Sequence, residues 1–595
     1  MSAYSLAILC LLFLAACGGN IQNILPIPLS ENPSEAAELS EVKLVSISED
    51  LDGYITEHNW SQIKGSPVNL IKENETTVSF IAPDVAVDTV LSFSLTVVDN
   101  ESATQTSESI DILIRASLAD KSSLSALDLT ENNTATIPFL STIEIETDKS
   151  LLSHIQYTIK PKPDAKADEL SITYSIERLT YSNNKIITPV FGLYDDYSNT
   201  VNLLFTFLDG SAITISKDIL TEQYIYPDTF QITEPVDANQ KPSFSYYYLK
   251  TFDGPVVLDI DGAIRWVSTE GRFSTYLAEM KFFFGKNGQF GTMPLDGEVT
   301  LYDIESNELS NINLHHDISK GKAGHLVQVD GSYDGGSTMI IESILLEVDD
   351  SGKQLRLWDM GEIITEFMLS KGDNPSEFVR DGIDWFHMNS AIYDEADNSL
   401  IVSSRENFVI KIDYTSKEIK WVLGDETKHW YQNFPSLRSI SISSLDTKPI
   451  GQHSLSIVGD DLMLFNNGFP SLHEPSGEPK GIELSESIIS KYRIDAEEKT
   501  ATITFDFSSG KYSDICSSVY LDEFAQTNPD YLITYSIINR LERQKKNLES
   551  FGLVKGVDTQ KQKLFELKII HGAGRRYGCK AGWNANTFPS SFTFN

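Results

Sequence analysis

Apolar and polar residues alternate in short runs along most of the chain, a period of two that reads as half-buried β-strands rather than helices. LIVSSR (400–405) and FVIKID (408–413) show it cleanly, each bounded by a polar turn, EADN before the first and YTSKE after the second. From residue 246 onward one arrangement recurs: an apolar strand ending in Asp, a short polar turn, then a strand that often closes on Trp. Val256–Val267, Ile344–Trp358, Phe408–Val422 and Ile489–Phe507 are its clear instances, and Val299–Leu309 and Lys561–Ile569 are looser ones. Hairpins repeated about six times over about 350 residues predict a β-propeller, whose blades converge on a central channel. A pair of stacked sandwiches is the alternative for the same pattern.

Two smaller β-modules are predicted ahead of this region. VKLVSI, the stretch through Trp60, VSFIAP, LSFSLTVVD and SIDILI give five short strands between 41 and 116. Their order resembles PKD-like, immunoglobulin-type sandwich modules, with Trp60 as core tryptophan and Phe80 and Leu95 facing it. Residues 117–235 form a second β-rich region, in which two strands meet at the turn Asp209-Gly210. The predicted organisation is all-β: a leader (1–16), a proline-bearing linker (17–40), two sandwiches (41–116 and 117–235) and a six-bladed propeller (236–595).

Composition narrows the function. Hydrophobic residues make up 41% of 595, ample for packed cores over several domains. A net charge of −38 offers no basic stripe for phosphates and excludes nucleic acid as a partner. An anionic substrate would need a local cationic pocket working against the overall field.

Leu6 to Ala16 is apolar but too brief to span a bilayer, and it ends in Leu14-Ala15-Ala16-Cys17. This resembles a bacterial lipoprotein signal, which implies lipidation of Cys17 and a membrane anchor that does not span. With no Asp after Cys17, the resemblance implies an exported, periplasm-facing protein on the outer membrane. Cys516 and Cys579 are then available to pair, as cysteines in exported chains can.

The candidate chemistry lies at strand ends within the propeller region. His315 and His316 follow the run INL, His387 and Asn389 stand in DWFHMNS, Arg405 closes LIVSSR, and His453 stands in GQHS. Singly, each reads as a structural residue. Together, imidazoles, an amide and a guanidinium make an anion site. Iron ligation by four histidines is the metalloenzyme alternative; the adjacent guanidinium would repel a metal, so no metal or other cofactor is expected. A non-catalytic envelope scaffold is the second alternative, but a scaffold has no need of this cluster.

NLHHDI, DWFHMNS, VSSRENFVIKID and GQHS, in this order and with a spacing of 18 from His387 to Arg405, resemble the bacterial arylsulfate sulfotransferases that work without a nucleotide sulfate donor. VFGLYDDYSNTV resembles the family's small N-terminal β-domain and LDIDGAIRW its propeller entry. The likeness covers Leu127 to Asn595. It implies transfer of a sulfuryl group from an aryl sulfate to a phenol by a ping-pong route, and it implies a homodimer. Carried over residue by residue, His453 is the nucleophile, Arg405 clamps the sulfuryl oxygens, and His387 and Asn389 donate to them. His316 or His315 exchanges the proton of the aryl oxygen, with His316 favoured because it precedes Asp317. The stretch after Asp425 departs from the family pattern and is expected to shape the aryl pocket.

Overall fold

A computed structural model describes residues 22–124, 129–133, 139–251, 254–268, 273–278, 281–286, 288–297, 299–333, 341–540, 548–571 and 581–594. Cys17 with its apolar leader, and Cys579, lie outside the described residues. Among those described, no helix is long and apolar enough to cross a membrane. They fall into two compact units, one of 22–124 with 150–153 and 206–213, and one of the rest.

The first unit is a sandwich of two sheets. Its five long strands, Glu41–Ser46, Ile55–Lys64, Thr77–Ile81, Thr89–Asp99 and Ile110–Arg115, follow the alternation of the sequence. Ser30–Glu31 and Glu35–Ala37, expected within a linker of 17–40, pair instead with Val45–Ser46 and Leu113–Arg115, so the sandwich begins earlier than predicted. Trp60 lies opposite Leu95 across two strands but is only half-buried. The centre of the core is the pair Phe80 and Phe93, with ring centroids 4.9 Å apart.

The next domain is a second sandwich, with Ser198–Phe207 and Ala212–Leu220 forming the predicted hairpin. Gly210 takes φ 85° in that turn, a conformation a side chain would strain. The edge of one of its sheets is the far C-terminal strand Ser591–Phe594, parallel to Ser171–Tyr174, which the sequence assigned to the propeller. Conversely Thr229–Glu234, assigned to the sandwich, is an edge strand of the last sheet of the large domain.

The large domain consists, among the described residues, of six sheets of four or five strands, antiparallel except for the short strand Ser443–Ser444, which runs parallel to Thr500–Phe507. Sheets two to four follow chain order from an inner to an outer strand, and sheets five and six do so up to a last strand taken from earlier in the chain, Ser443–Ser444 and Thr229–Glu234. In the first, the inner strand is Ala581–Phe588, supplied by the chain's end, beside Tyr246–Thr251, Gly254–Asp259 and Ile264–Val267. The domain's beginning thus completes its sixth sheet and its end completes its first. Serines stitch the inner strands together: Ser319 Oγ donates to Ala391 O (2.5 Å), and Ser390, Ser454 and Ser518 Oγ accept from Leu455, Val519 and Ala585 N (3.0, 3.3 and 3.0 Å).

The recurring Asp and Trp have separate physical jobs. Asp259, Asp349, Asp413, Asp495 and Asp558 each accept two backbone N–H groups of the following turn through Oδ1, holding it shut. Trp266 and Trp358 reach into the following sheet, Nε1 donating to Leu295 O (3.1 Å) and Tyr414 O (3.3 Å). Between sheets three and four lies a core of Trp358, Trp385, Phe386, Phe408 and Trp430. Its cover includes the helix Met360–Ser370 and two short helices, His429–Asn433 and Pro435–Ser439, in the stretch after Asp425. Val299–Leu309, read as a hairpin, is instead the last strand of sheet two plus the link to sheet three, whose first strand starts at Ser310.

Candidate active site

The site is built from one feature used three times. The inner strands Ser310–Lys320, Met388–Asp394 and His453–Val458 each carry an irregular register, between Leu314 and Ile318, Met388 and Ser390, and His453 and Ser456. At or beside these breaks His316, His387 and Ser454 adopt φ 48°, 51° and 57°. A bulge with a left-handed residue turns a side chain away from the usual alternation. His316 therefore lies inside an eleven-residue strand rather than at the strand end the sequence suggested.

A small cavity is lined by Lys250, His316, Asp317, Asn389, His453 and Cys516, with the two serines Ser454 and Ser517. Its volume of about 30 Å³ compares with roughly 10–15 Å³ for one water on the same measure. That admits a compact tetrahedral group but not an aromatic ring. His387 and Arg405 are not among the lining residues, but the charge of each bears on His453, which is. His316 has its ring centroid 4.7 Å from His387 and 6.5 Å from His453. His315 packs edge-on against His316 at 5.3 Å, and burial pushes it down to about 3, so it stays uncharged.

His453 is buried and its tautomer is fixed by its neighbours. Asn467 spends both N–H groups on Ser513 O (2.6 Å) and Cys516 O (2.8 Å), so its Oδ1 can only accept, and it does so from His453 Nδ1 at 2.8 Å. The proton is thus on Nδ1, and Nε2 is left with its lone pair, accepting from Cys516 N at 3.2 Å. Burial and the nearby charges of His316, Arg405 and His387 hold the imidazole well below its usual value, that is, neutral.

Arg405 is 3% exposed. Its Nη1 pairs with Glu406, while Nη2 is buried without a hydrogen-bond partner among the described residues. Half of the guanidinium fork is therefore committed and half is not. Glu406 is itself anchored by Ser471 Oγ and by the N–H groups of Leu472 and His473 (2.8 and 3.0 Å). The Arg405 N–H donates to His387 O at 3.1 Å, tying the two motifs together. Asn389 commits Nδ2 to Gln452 O at 2.7 Å, which sets the backbone just ahead of His453, and its Oδ1 is buried and unpartnered among the described residues.

Several groups at the site were not singled out by the sequence. Glu342 stands 2.9 Å from His316 Nε2 and 2.8 Å from His387 Nδ1, and Asp384 stands 2.5 Å from the same His387 nitrogen. Burial opposes a charge on His387, but the two carboxylates override it and raise the group to about 9. Lys250 donates to His316 O at 3.1 Å and faces Asp317 at 3.5 Å; burial brings it down to about 8 and pushes Asp317 up. Lys250 alone carried a visible signal, a single charge in the apolar run YYYLKT. Cys516, 63 residues from His453 in sequence, touches it through its backbone N–H; it is disulfide-bonded, and Cys579, the expected partner, lies outside the described residues. Among the described residues, His315, His316 and Glu342, and Glu342, Asp384 and His387, are also spaced closely enough to hold a metal ion.

The molecule is thus an all-β protein with a small cavity lined by a caged neutral imidazole, on which a half-committed guanidinium exerts its charge. The chain belongs to the arylsulfotransferase (ASST) family, which residues 230–577 match. Residues 138–222 match the arylsulfotransferase Ig-like domain, and 34–112 match a PKD domain. It is 29% identical over 125 residues to the arylsulfate sulfotransferase AssT of Escherichia coli O6:H1, covering 16% of this chain and 21% of that protein. With AssT of Lelliottia amnigena it shares 22% over 384 residues, 49% of this chain and 63% of that one. A solved β-propeller domain, Cps50 (Swd1) of Myceliophteria thermophila, has a TM-score of 0.27 at 9% identity over 57% of this chain and 99% of that one, too slight a likeness to bear on the fold.

Proposed function

We propose that the chain is an arylsulfate sulfotransferase that moves a sulfuryl group from an aryl sulfate to a phenol in two steps through sulfated His453. Transfer of a sulfuryl group runs through a loose, charge-dispersed transition state, as phosphoryl transfer does. It calls for an uncharged nucleophile and for donors around the equatorial oxygens. The observation that carries this reading is the fixed tautomer of His453, whose Nε2 lone pair is kept neutral among cationic groups. Arg405 supplies Nη2 to the transferring oxygens, Asn389 holds the backbone ahead of the nucleophile, and His387 contributes a lasting positive charge. The histidine that exchanges the aryl oxygen's proton is His316, since His315 is buried and held neutral.

The six sheets are read as six blades of a closed propeller, supported by the terminal strands that complete sheets one and six. The Leu14–Cys17 pattern supports lipid anchoring at the outer membrane with the site facing the periplasm. A homodimer rests on the family alone. The test is incubation with 4-nitrophenyl sulfate and phenol. Phenol-dependent release of nitrophenol, with parallel double-reciprocal lines, is the expected result; no release at any phenol concentration leaves a scaffold.

A further inference from the structure

Two of the clustered histidines, His316 and His387, are held by a residue outside every motif of the sequence. Glu342 sits just before the strand Ile344–Val348 with φ 51°, a conformation that costs energy for a side chain of its size. Its backbone is held on both sides: its N–H donates to Asp330 Oδ1 at 2.9 Å, and its carbonyl accepts from Met388 N at 2.7 Å. The side chain is 13% exposed, and Oε2 meets both His316 Nε2 and His387 Nδ1. Of these two imidazoles, His316 lines the cavity with His453 and His387 does not.

We propose that Glu342 is the positioning carboxylate of the acid–base histidine: it holds His316 by Nε2, so that the proton exchanged with the aryl oxygen moves through Nδ1. This deepens the transferase reading and rests on it. An imidazole whose one nitrogen donates steadily to a carboxylate has only the other nitrogen to trade. In the first half-reaction His453 Nε2 bonds to sulfur, the bond from sulfur to the aryl oxygen breaks, and that oxygen takes the Nδ1 proton of the His316 imidazolium. His316 is left neutral, still donating Nε2–H to Glu342. In the second, the incoming phenol gives its proton to Nδ1 as its oxygen bonds to sulfur and the N–S bond breaks, which restores both histidines.

Two features separate the roles of the paired imidazoles. His387 faces two carboxylates and keeps its proton to about 9, which makes it a fixed charge rather than an exchanger at neutral pH. Burial works to protonate Glu342, but the charges and hydrogen bonds of His316 and His387 override it and keep the carboxyl well below the usual range. The charged and titratable groups around Glu342 are His315 and His316 from one strand, Asp330 from the next strand of the same sheet, and Asp384 and His387 from the following sheet.

The test compares two donors in the full-length chain: 4-nitrophenyl sulfate, whose phenol leaves easily as an anion, and phenyl sulfate, whose phenol needs a proton. Glu342→Gln is expected to lower kcat/KM for phenyl sulfate by about 100-fold and for 4-nitrophenyl sulfate by less than about tenfold. Glu342→Asp is expected to recover most of that difference, and either variant should still yield sulfated His453 from 4-nitrophenyl sulfate. Equal losses on both donors in a folded variant overturn the inference, and so does full activity of both. Should Glu342→Gln not fold, the same donor pair in Glu342→Asp decides, a larger loss on phenyl sulfate supporting the assignment and equal losses refuting it. If the unaltered protein forms no sulfated His453, the transferase reading fails instead.

Discussion

At the scale of single residues, the proposed nucleophile His453 is defined less by its own side chain than by what holds it. Asn467 fixes the proton on Nδ1, so Asn467→Ala releases the tautomer and is expected to slow single-turnover sulfation of the protein by about 100-fold, with donor binding little changed. Arg405→Ala removes the uncommitted guanidinium arm and should cost about 100–1000-fold in kcat. Arg405→Lys should recover little, because an ammonium cannot serve Glu406 and an anion in one plane. His387 gives a pH signature. Its folded value of about 9 exceeds the usual value of about 6.5, so the folded state binds the extra proton between these limits. Its contribution to stability is fully present below the lower limit and is lost as pH rises through the upper one, at up to about 1.4 kcal/mol per pH unit. Denaturant titrations from pH 6 to 10 should show that slope in the parent and a flatter one in His387→Gln. The motifs exposed His316, His387, Asn389, Arg405 and His453 because each stands in a polar interruption of a strand. Glu342 and Asn467 were not legible, since their importance comes from pairing across 45 and 14 residues of chain that alternation cannot relate.

At the scale of elements, the alternation and the Asp-turn signal yielded most strands at their observed places, because both report local physics: burial of one face and capping of the turn's N–H groups. What they missed were partners. Val299–Leu309 carries the same letters as a hairpin, yet its first half is the last strand of sheet two and its second half is the link to sheet three. The bulges beside His316, His387 and Ser454 were also invisible, since no glycine marks their positive φ. The repeated Trp is an inter-sheet brace. Trp358 is fully buried and bonded to Tyr414 O in the next sheet, so Trp358→Ala is expected to cost roughly 3–5 kcal/mol. The midpoint of urea unfolding measures this, and activity per folded molecule should fall less than in Arg405→Ala.

At the scale of the whole molecule, the first and last sheets of the large domain are completed by strands from its two ends, which no local pattern foretells. Ser591–Phe594 packs Phe594 on Tyr174 with centroids 4.8 Å apart and buries Phe592 against Phe191 and Phe588. Removing residues 591–595 should lower the melting temperature and loosen the sandwich sheet it borders, seen as faster amide exchange around Ser171–Tyr174. The claim on which the account turns is that His453 carries the sulfuryl group between donor and acceptor. The most direct measurement is to mix the protein with donor alone, quench, and map the adduct by peptide mass spectrometry. The account predicts one added SO₃ on the peptide containing His453, discharged by phenol and absent in His453→Asn. A folded His453→Asn variant that transfers sulfate between phenols at the parent's rate would contradict it.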